Sequence, residues 1–302
     1  MNEAATHPEA LARPVGGLLP LLRLATRGRH LKILVGGLIF LALVVTGLLA
    51  PVLAPHDPQA QVLEERLRPP GWHQDGSGEN LLGTDNLGRD LLSRIIYGSR
   101  ISLLVGLLTV TVAALIGCLL GALAGYFGGA VDEVISKVVE VFLAFPFLLL
   151  AIALMAFLGA GLGNIIVALV LSRWVQYCRV VRGEVLSLRE RDFVTAARAL
   201  GAGDLYIIVR HILPNTLGSL TVVATFAMAI VIITEASLSF LGLGVPPTIP
   251  TWGSMLAEGR SYIYRAPWLS IFPGLAIFIT VLGINLLGDG LRDVLDPKLR
   301  GT

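Results

Sequence analysis

The sequence predicts an all-α integral membrane protein with six transmembrane helices. Of its 302 residues, 55% are hydrophobic and only 15% are charged, and the mean hydropathy is +0.78. A soluble domain carries about 25% charged residues, so this chain has too few polar side chains to cover a surface in water. The uncharged residues also fall into runs that are long enough to cross a bilayer.

The apolar runs define the six helices in order. A helix needs roughly 20 apolar residues to cross the hydrocarbon core. One uncharged run, residues 141–172, is too long for a single span, and we divide it at the glycine-rich stretch 159–163. The predicted spans are residues 33–55, 101–124, 135–158, 164–183, 215–240 and 266–288.

The basic residues predict that both termini face the cytoplasm. With the N-terminus inside, fifteen Lys and Arg residues lie in cytoplasmic segments and seven in external segments, while Arg173 lies within a span. Cytoplasmic segments of membrane proteins retain Lys and Arg, so the N-in, C-in orientation is favoured. Residues 1–30 are predicted to be a poorly ordered cytoplasmic lead, with an amphipathic stretch at 18–24 on the membrane surface.

The composition also argues against several functions. The net charge of +2 gives no indication of nucleic-acid binding. The three lysines, Lys32, Lys137 and Lys298, do not follow glycine, so the ATP-binding motif GxxxxGK[ST] cannot occur and any ATP must be hydrolysed by another chain. The histidines form no HExxH motif, and we interpret Cys118 and Cys178 as small buried apolar residues.

Two short helices are predicted between the fourth and fifth spans. The first begins after an Asp192 N-cap and ends at Gly201, with one narrow apolar face formed by Phe193, Ala196, Ala197 and Leu200. The second begins at Asp204 and is predicted to stop at Pro214, with a stripe of Leu205, Ile208, Val209 and Ile212. Periodicity alone favours an ordinary amphipathic connector that lies on the membrane.

The same loop resembles the EAA signature of bacterial ABC-importer permeases. In that family the signature reads Glu-Ala-Ala, three residues, Gly, nine residues, Ile, one residue, Leu-Pro. This chain keeps both alanines, the glycine and Leu-Pro at those intervals, but has Thr195 in place of glutamate and His211 in place of isoleucine. Both departures resemble the peptide-transporting branch. The residues that the resemblance assigns to the coupling site are Thr195, Ala196, Ala197, Arg198, Gly201, Asp204, His211, Leu213 and Pro214.

Three further blocks extend the resemblance over residues 33–300. They are residues 82–94, similar to a GTDxxGRDxxSR motif, residues 238–244, with the sequence LSFLGLG, and residues 285–297, which contain NLLGDGLRD. Four blocks in the correct order identify the chain as similar to the DppC/OppC-type permease subunits of dipeptide and oligopeptide ABC importers. This resemblance implies a type I ABC-importer permease fold in the bacterial cytoplasmic (inner) membrane.

The resemblance also implies a division of the chain and a set of partners. The core permease domain would be residues 101–290 with a coupling loop at 184–214, preceded by a first helix and external loop at 31–100 and followed by a cytoplasmic tail at 291–302. The partners would be a second homologous permease subunit of the DppB/OppB type, two ATPase subunits of the DppD/DppF type, an external substrate-binding protein and the lipid bilayer, with no nucleic acid. This chain would be no enzyme and would hold no cofactor, since ATP and Mg²⁺ would bind the ATPases.

Ionisable residues within spans are candidates for function because burial of a charge in hydrocarbon is costly. Glu235 could face the translocation path and meet a peptide amino terminus, or it could serve a structural role at the helix end. Glu140 and Arg173, on adjacent antiparallel spans, could form a pair. In the external loop, Asp85, Arg89 and Asp90 could hold the loop through local ion pairs or could contribute to a docking surface.

Other functions stay open at this point. Within the same architecture, the cargo could be nickel, a metal chelate or an opine-type small molecule. An ion-coupled secondary transporter would suit Glu235 and Glu140 but would leave the EAA-like loop unexplained. A membrane-embedded enzyme is disfavoured because the sequence has no nucleophile–base or metal constellation.

Overall fold

The computed structural model describes residues 18–76, 78–246 and 248–295, with side chains from residue 30 onward. Helices account for nearly all regular structure in this part of the chain, and the only β pairing there is an isolated bridge between Thr84 and Asp90. The α-helices are α1 Leu18–Leu48, α2 Ala50–Leu53, α3 Leu91–Phe127, α4 Gly129–Leu143, α5 Phe147–Leu158, α6 Leu162–Leu188, α7 Asp192–Ala199, α8 Asp204–Tyr206, α9 Leu213–Phe240, α10 Trp252–Arg260 and α11 Trp268–Leu295.

The fold class is confirmed: five described helices are long and apolar enough to cross a membrane, and a sixth span results if α4 and α5 are counted together. The five are His30–Leu48 within α1, then α3, α6, the stretch Asp204–Phe240, and α11. Of the N-terminal lead, residues 1–17 lie outside the described residues, and residues 18–30 are helical and continuous with the first span. Of the predicted tail, residues 296–302 also lie outside.

The third predicted span differs from the expected straight helix. Residues 135–158 belong to two helices, α4 and α5, whose axes meet at 86°. The bend falls at Ala144–Pro146, since proline has no N–H to continue the helical ladder. The predicted break at the glycines is confirmed, because α5 ends at Gly159, which has φ +83°.

A seam of glycines fixes α3 against α6. A methyl group at Gly117 would stand 2.5 Å from the carbonyl oxygen of Trp174, and one at Gly121 would stand 2.5 Å from that of Cys178. One turn further, a methyl group at Gly125 would stand 2.8 Å from Val185 Cβ. Contacts this short leave no space for a side chain, so the two helix backbones touch along three successive turns. The face of α6 opposite these glycines does not contact α3.

The predicted pair between Glu140 and Arg173 is wrong, since neither residue forms an ion pair with any described residue. The guanidinium of Arg173 instead lies 3.5 Å from the centre of the Phe147 ring. The cause is the bend between α4 and α5, which brings Phe147, the first residue of α5, over α6.

Candidate functional site

The side that carries α7 is the one predicted to face the cytoplasm; we call it the cytoplasmic side, and the opposite side, which carries α10, the external side. Helix α7 begins after Arg191, so Asp192 is its first residue and not the predicted N-cap. Its end is as predicted: Gly201 has φ +83°, which favours glycine, and its N–H donates to the Arg198 carbonyl at 3.0 Å. A short helix with defined ends therefore lies in the loop.

The predicted apolar face of α7 is turned outward. Leu200 is 89% exposed, and Phe193 and Ala196 are also exposed. Val194, on the opposite side of the helix, is fully buried in the core, and Ala197 is half-buried at its edge. Exposed leucine and phenylalanine beside a small alanine form a surface that a partner could approach closely. In the described chain nothing covers this face.

Tyr126, at the end of α3, fastens the loop. Its hydroxyl donates to Asp204 Oδ1 at 2.6 Å and accepts from Arg198 Nη2 at 3.3 Å. The Arg198 guanidinium also lies 5.8 Å from the centre of the Tyr126 ring, and the hydrogen bond to Tyr126 raises the pKa of Arg198. Arg198 and Asp204 therefore contact this chain's own tyrosine. Tyr126 was not predicted from the sequence, because no motif signals a partner so distant in the chain.

The second predicted helix does not stop at Pro214. After α8 the chain forms a π-helical turn, Ile207–Ile212, that runs directly into α9. The Leu213 N–H donates to the Ile208 carbonyl five residues earlier, and not to the carbonyl four residues earlier as in an α-helix. The α-helical hydrogen-bond pattern is therefore already interrupted before Pro214, which has no N–H to donate. Asn215 Nδ2 then donates to the His211 carbonyl at 2.6 Å.

The π turn also changes which residues are buried. Ile207, Ile208 and Ile212 are buried, whereas Leu205 and Val209 of the predicted stripe are exposed, because a π turn advances more residues per turn than the assumed α-helix. His211 is half-buried, with its ring centre 5.5 Å from that of Tyr206 and 6.5 Å from that of Phe193. Of the remaining site residues, Leu213 packs against the core, and Thr195 is exposed, with its hydroxyl donating to the Arg191 carbonyl at 3.4 Å.

Glu235 lies inside the protein and away from the loop. Its side chain is 1% exposed in α9, and Oε1 accepts from the Ser239 hydroxyl at 2.8 Å one turn later. Ser239 in turn packs against Gly244 and Gly253 at the external end of the helix. Oε2 is buried without a hydrogen-bond partner. This position favours the structural alternative for Glu235 over contact with cargo.

A buried group of four charges on the external side, which we call the external ion cluster, was only half predicted. It consists of Asp85, Arg89, Arg94 and Glu258. The expected pair of Asp85 and Arg89 is confirmed, with Arg89 Nε donating to Asp85 Oδ2 at 2.6 Å. Arg94, 1% exposed, also donates to Asp85 and makes two bonds to Glu258 of α10, at 2.7 and 3.0 Å.

The external ion cluster ties three segments together. Arg89 Nη2 reaches Glu258 at 2.9 Å, so both arginines bridge the loop before α3 to α10. Trp252 Nε1 adds a hydrogen bond from α10 to the Ile95 carbonyl at 3.0 Å. Asp90, expected to take part in ion pairs, lies 3.9 Å from His56 Nδ1 and also caps α3 by accepting from the Ser93 N–H at 2.8 Å. The loop, the start of α3 and α10 thus form one packed external unit.

Comparison with known proteins gives two family matches. The model for the binding-protein-dependent transport system inner membrane component matches residues 117–301, more than half of the chain. The model for the N-terminal TM domain of oligopeptide transport permease C matches residues 32–70.

Individual proteins resemble the chain over most of its length. The di/tripeptide transport system permease protein DppC of Pseudomonas aeruginosa is 47% identical, over 90% of this chain and 90% of that protein. The glutathione transport system permease protein GsiD of Pectobacterium atrosepticum is 45% identical, over 87% and 86%. Among solved structures, an inward-facing MetNI methionine ABC transporter has a chain with a TM-score of 0.56 at 21% identity, over 68% of this chain and 98% of that one. This last likeness concerns the fold alone.

Proposed function

We propose a function from one premise: this chain belongs to the binding-protein-dependent transport system inner membrane components. On that premise, it is a permease subunit of an ATP-driven importer of di- and oligopeptides. The chain is a multi-pass protein of the inner membrane. Peptide cargo is supported by the relatives named for di/tripeptide and glutathione transport, which cover most of both chains at 45–47% identity.

The observation that carries the proposal is the uncovered apolar face of α7. Phe193, Ala196 and Leu200 are exposed to the cytoplasmic side, while Val194 anchors the same helix in the core. Burying such a face against another protein is favourable, since each buried apolar side chain is stabilised by about 1.5–3 kcal/mol. The proposed occupant is an ATPase subunit, and α7 with its flanking residues 184–214 is the proposed coupling loop.

The loop is attached so that a force on α7 reaches the spans. Val194 lies in the same core cluster as residues of α3, α6 and α9, and Asp204 is hydrogen-bonded to Tyr126 of α3. From Asp204 the chain continues as one helical span to Phe240. We propose that closure of two ATPases on bound ATP and Mg²⁺ displaces α7 and tilts these spans, against a second homologous permease subunit. An external binding protein would deliver the peptide.

Substitution of Ala196 by Trp tests this proposal. Ala196 is exposed, so an indole can be accommodated in this chain but would block close approach of an ATPase. We expect peptide uptake by cells or vesicles to fall at least tenfold, and ATPase subunits to be lost from the affinity-purified complex, with normal membrane insertion.

Ala130→Trp is the matched control. Ala130 is also exposed and lies at the cytoplasmic start of α4, outside residues 184–214, so this variant should keep both uptake and bound ATPases. Wild-type uptake by Ala196→Trp, or uptake driven by an ion gradient with the chain purified alone, would show that the coupling proposal is wrong.

A further inference from the structure

A cleft of about 530 Å³ opens on the face of α6 that turns away from α3, next to the bend between α4 and α5. We call it the arginine cleft; its lining includes Leu143, Phe147, Ser172, Arg173, Gln176 and Arg179. The opposite face of α6 is held against α3 by the glycine seam. Gln176 and Arg179 are consequently exposed in this chain. The volume is in the range of cavities that hold small molecules, about 300–1,000 Å³.

The charge in this cleft is unbalanced. Arg173 and Arg179 both line it, no carboxylate does, and neither arginine forms an ion pair within the described chain. Glu140 lines an adjoining cavity of about 280 Å³ that reaches Arg179 but not Arg173. The Nε of Arg173 is buried without a hydrogen-bond acceptor. Both arginines therefore lack an anion among the described residues, and Arg173 is the more buried of the two.

Arg173 also lies deep in the membrane. At 1.5 Å per residue it is roughly 17 Å from the external end of α6 and roughly 23 Å from the cytoplasmic end. The hydrocarbon core is about 30 Å thick, so a position this far from both ends of α6 lies within it. Charged side chains at this depth face the interior of an assembly or a water-filled path and mark routes of substrates or ions.

We propose that the arginine cleft binds the carboxylate of the cargo as it crosses the membrane, with Arg173 as the group that receives it. This inference rests on the proposed function, because a peptide carries a terminal carboxylate. The guanidinium of Arg173 lies 3.5 Å from the centre of the Phe147 ring, which fixes its position in the cleft. A planar guanidinium matches a carboxylate with two parallel N–H···O bonds, whereas a lysine ammonium does not.

The experiment places a photoreactive amino acid at Gln176, which is exposed in the cleft, and uses the assembled transporter with its binding protein and a radiolabelled dipeptide. Illumination during turnover should attach the label to this chain, and excess unlabelled dipeptide should abolish the attachment. Arg173→Met in the same chain should lower labelling and peptide uptake at least tenfold. Arg173→Lys should give an intermediate value, since it keeps the charge but loses the planar fork.

Arg260→Met is the matched control, because Arg260 also lies over a phenylalanine ring, that of Phe240, but on α10 and outside the cleft. It should keep the wild-type labelling and uptake. Cross-links from position 176 to the second permease subunit or to phospholipid, with no labelled peptide, would overturn the inference.

Failure of this inference and failure of the proposed function can be told apart. Wild-type uptake kinetics in Arg173→Met, with intact peptide transport by the unaltered complex, would overturn the cleft assignment alone. A complex that transports no peptide at all would overturn the proposed cargo, and the cleft assignment with it.

Discussion

Asp85→Asn should strongly destabilise the external side of the protein. The Asp85 carboxylate is 1% exposed and accepts hydrogen bonds from the N–H groups of Leu87 and Arg89 at 2.8 and 3.0 Å. It also accepts from the side chains of Arg89 and Arg94. An asparagine at position 85 keeps one oxygen but turns an NH₂ group towards the buried guanidinium groups of Arg89 and Arg94. Glu258 is then the one carboxylate left to pair with both arginines.

The expected magnitude follows from this burial. Breaking a buried ion pair by removing one partner costs about 3–5 kcal/mol. Glu258→Gln should cost less, about 1.5–3 kcal/mol, because Glu258 is partly exposed and both arginines keep Asp85. The control is Glu133→Gln: Glu133 pairs with Lys137 at 2.7 Å, but the two side chains are 67% and 69% exposed. An exposed pair of this kind contributes about 0–1 kcal/mol.

The assay is thermal unfolding of the purified complex, followed by tryptophan fluorescence, since Trp252 is hydrogen-bonded to α3 and Trp268 to the loop before it. At about 2–4 °C per kcal/mol, Asp85→Asn should lower Tm by roughly 6–20 °C. Glu258→Gln should fall between this variant and the control. Equal shifts for Asp85→Asn and Glu133→Gln would refute the argument, since they would mean that the four charges are solvated.

Two glycine substitutions extend these tests. Gly201→Ala should lower ATP-coupled peptide uptake, because a backbone φ of +83° costs an alanine about 1–2 kcal/mol. Gly203→Ala is the control: Gly203 has φ −71° and open space around it, so this variant should leave uptake unchanged. Gly117→Ala should lower Tm, because its methyl group would clash with the Trp174 carbonyl and lower the free energy of unfolding by about 1–3 kcal/mol. Gly183→Ala, on α6, is the control: its methyl group meets nothing within 4 Å, so Tm should not fall. Unaltered uptake in both Gly201→Ala and Gly203→Ala would contradict the first argument. A lower Tm in both Gly117→Ala and Gly183→Ala would contradict the second.

The sequence predicted the number of spans well because the thickness of the hydrocarbon core imposes a minimum apolar length. It predicted helix ends less well, because polar residues that lie beyond the hydrocarbon core of the bilayer can continue the same helix. Helix α3, for example, begins at Leu91 behind its Asp90 cap and not at Ile101. The 86° bend was also beyond the sequence, since Pro146 signals a break but not the direction in which the chain continues.

The loop between α6 and α9 was predicted in outline for a similar reason. The position of Gly201 depends on its neighbours in the chain, and it was right. The predicted stripe of the second helix was wrong at Leu205 and Val209, which are exposed. The sequence could not show that Tyr126 holds Arg198 and Asp204, or that Glu258 completes the external ion cluster, because those partners are distant in sequence. Pro214 misled the prediction, since an α-helical ladder was assumed where the chain adopts a π turn.

The continuous helix from Asp204 to Phe240 has a geometric consequence. At 1.5 Å per residue it is roughly 55 Å long, so a rigid tilt of about 5° about one end carries the other end roughly 5 Å sideways. One end bears the loop with α7, and the other bears Ser239, against which Gly253 of α10 packs. The helix is thus a rigid element with a long arm, in which a tilt of a few degrees about one end displaces the opposite end by several ångströms.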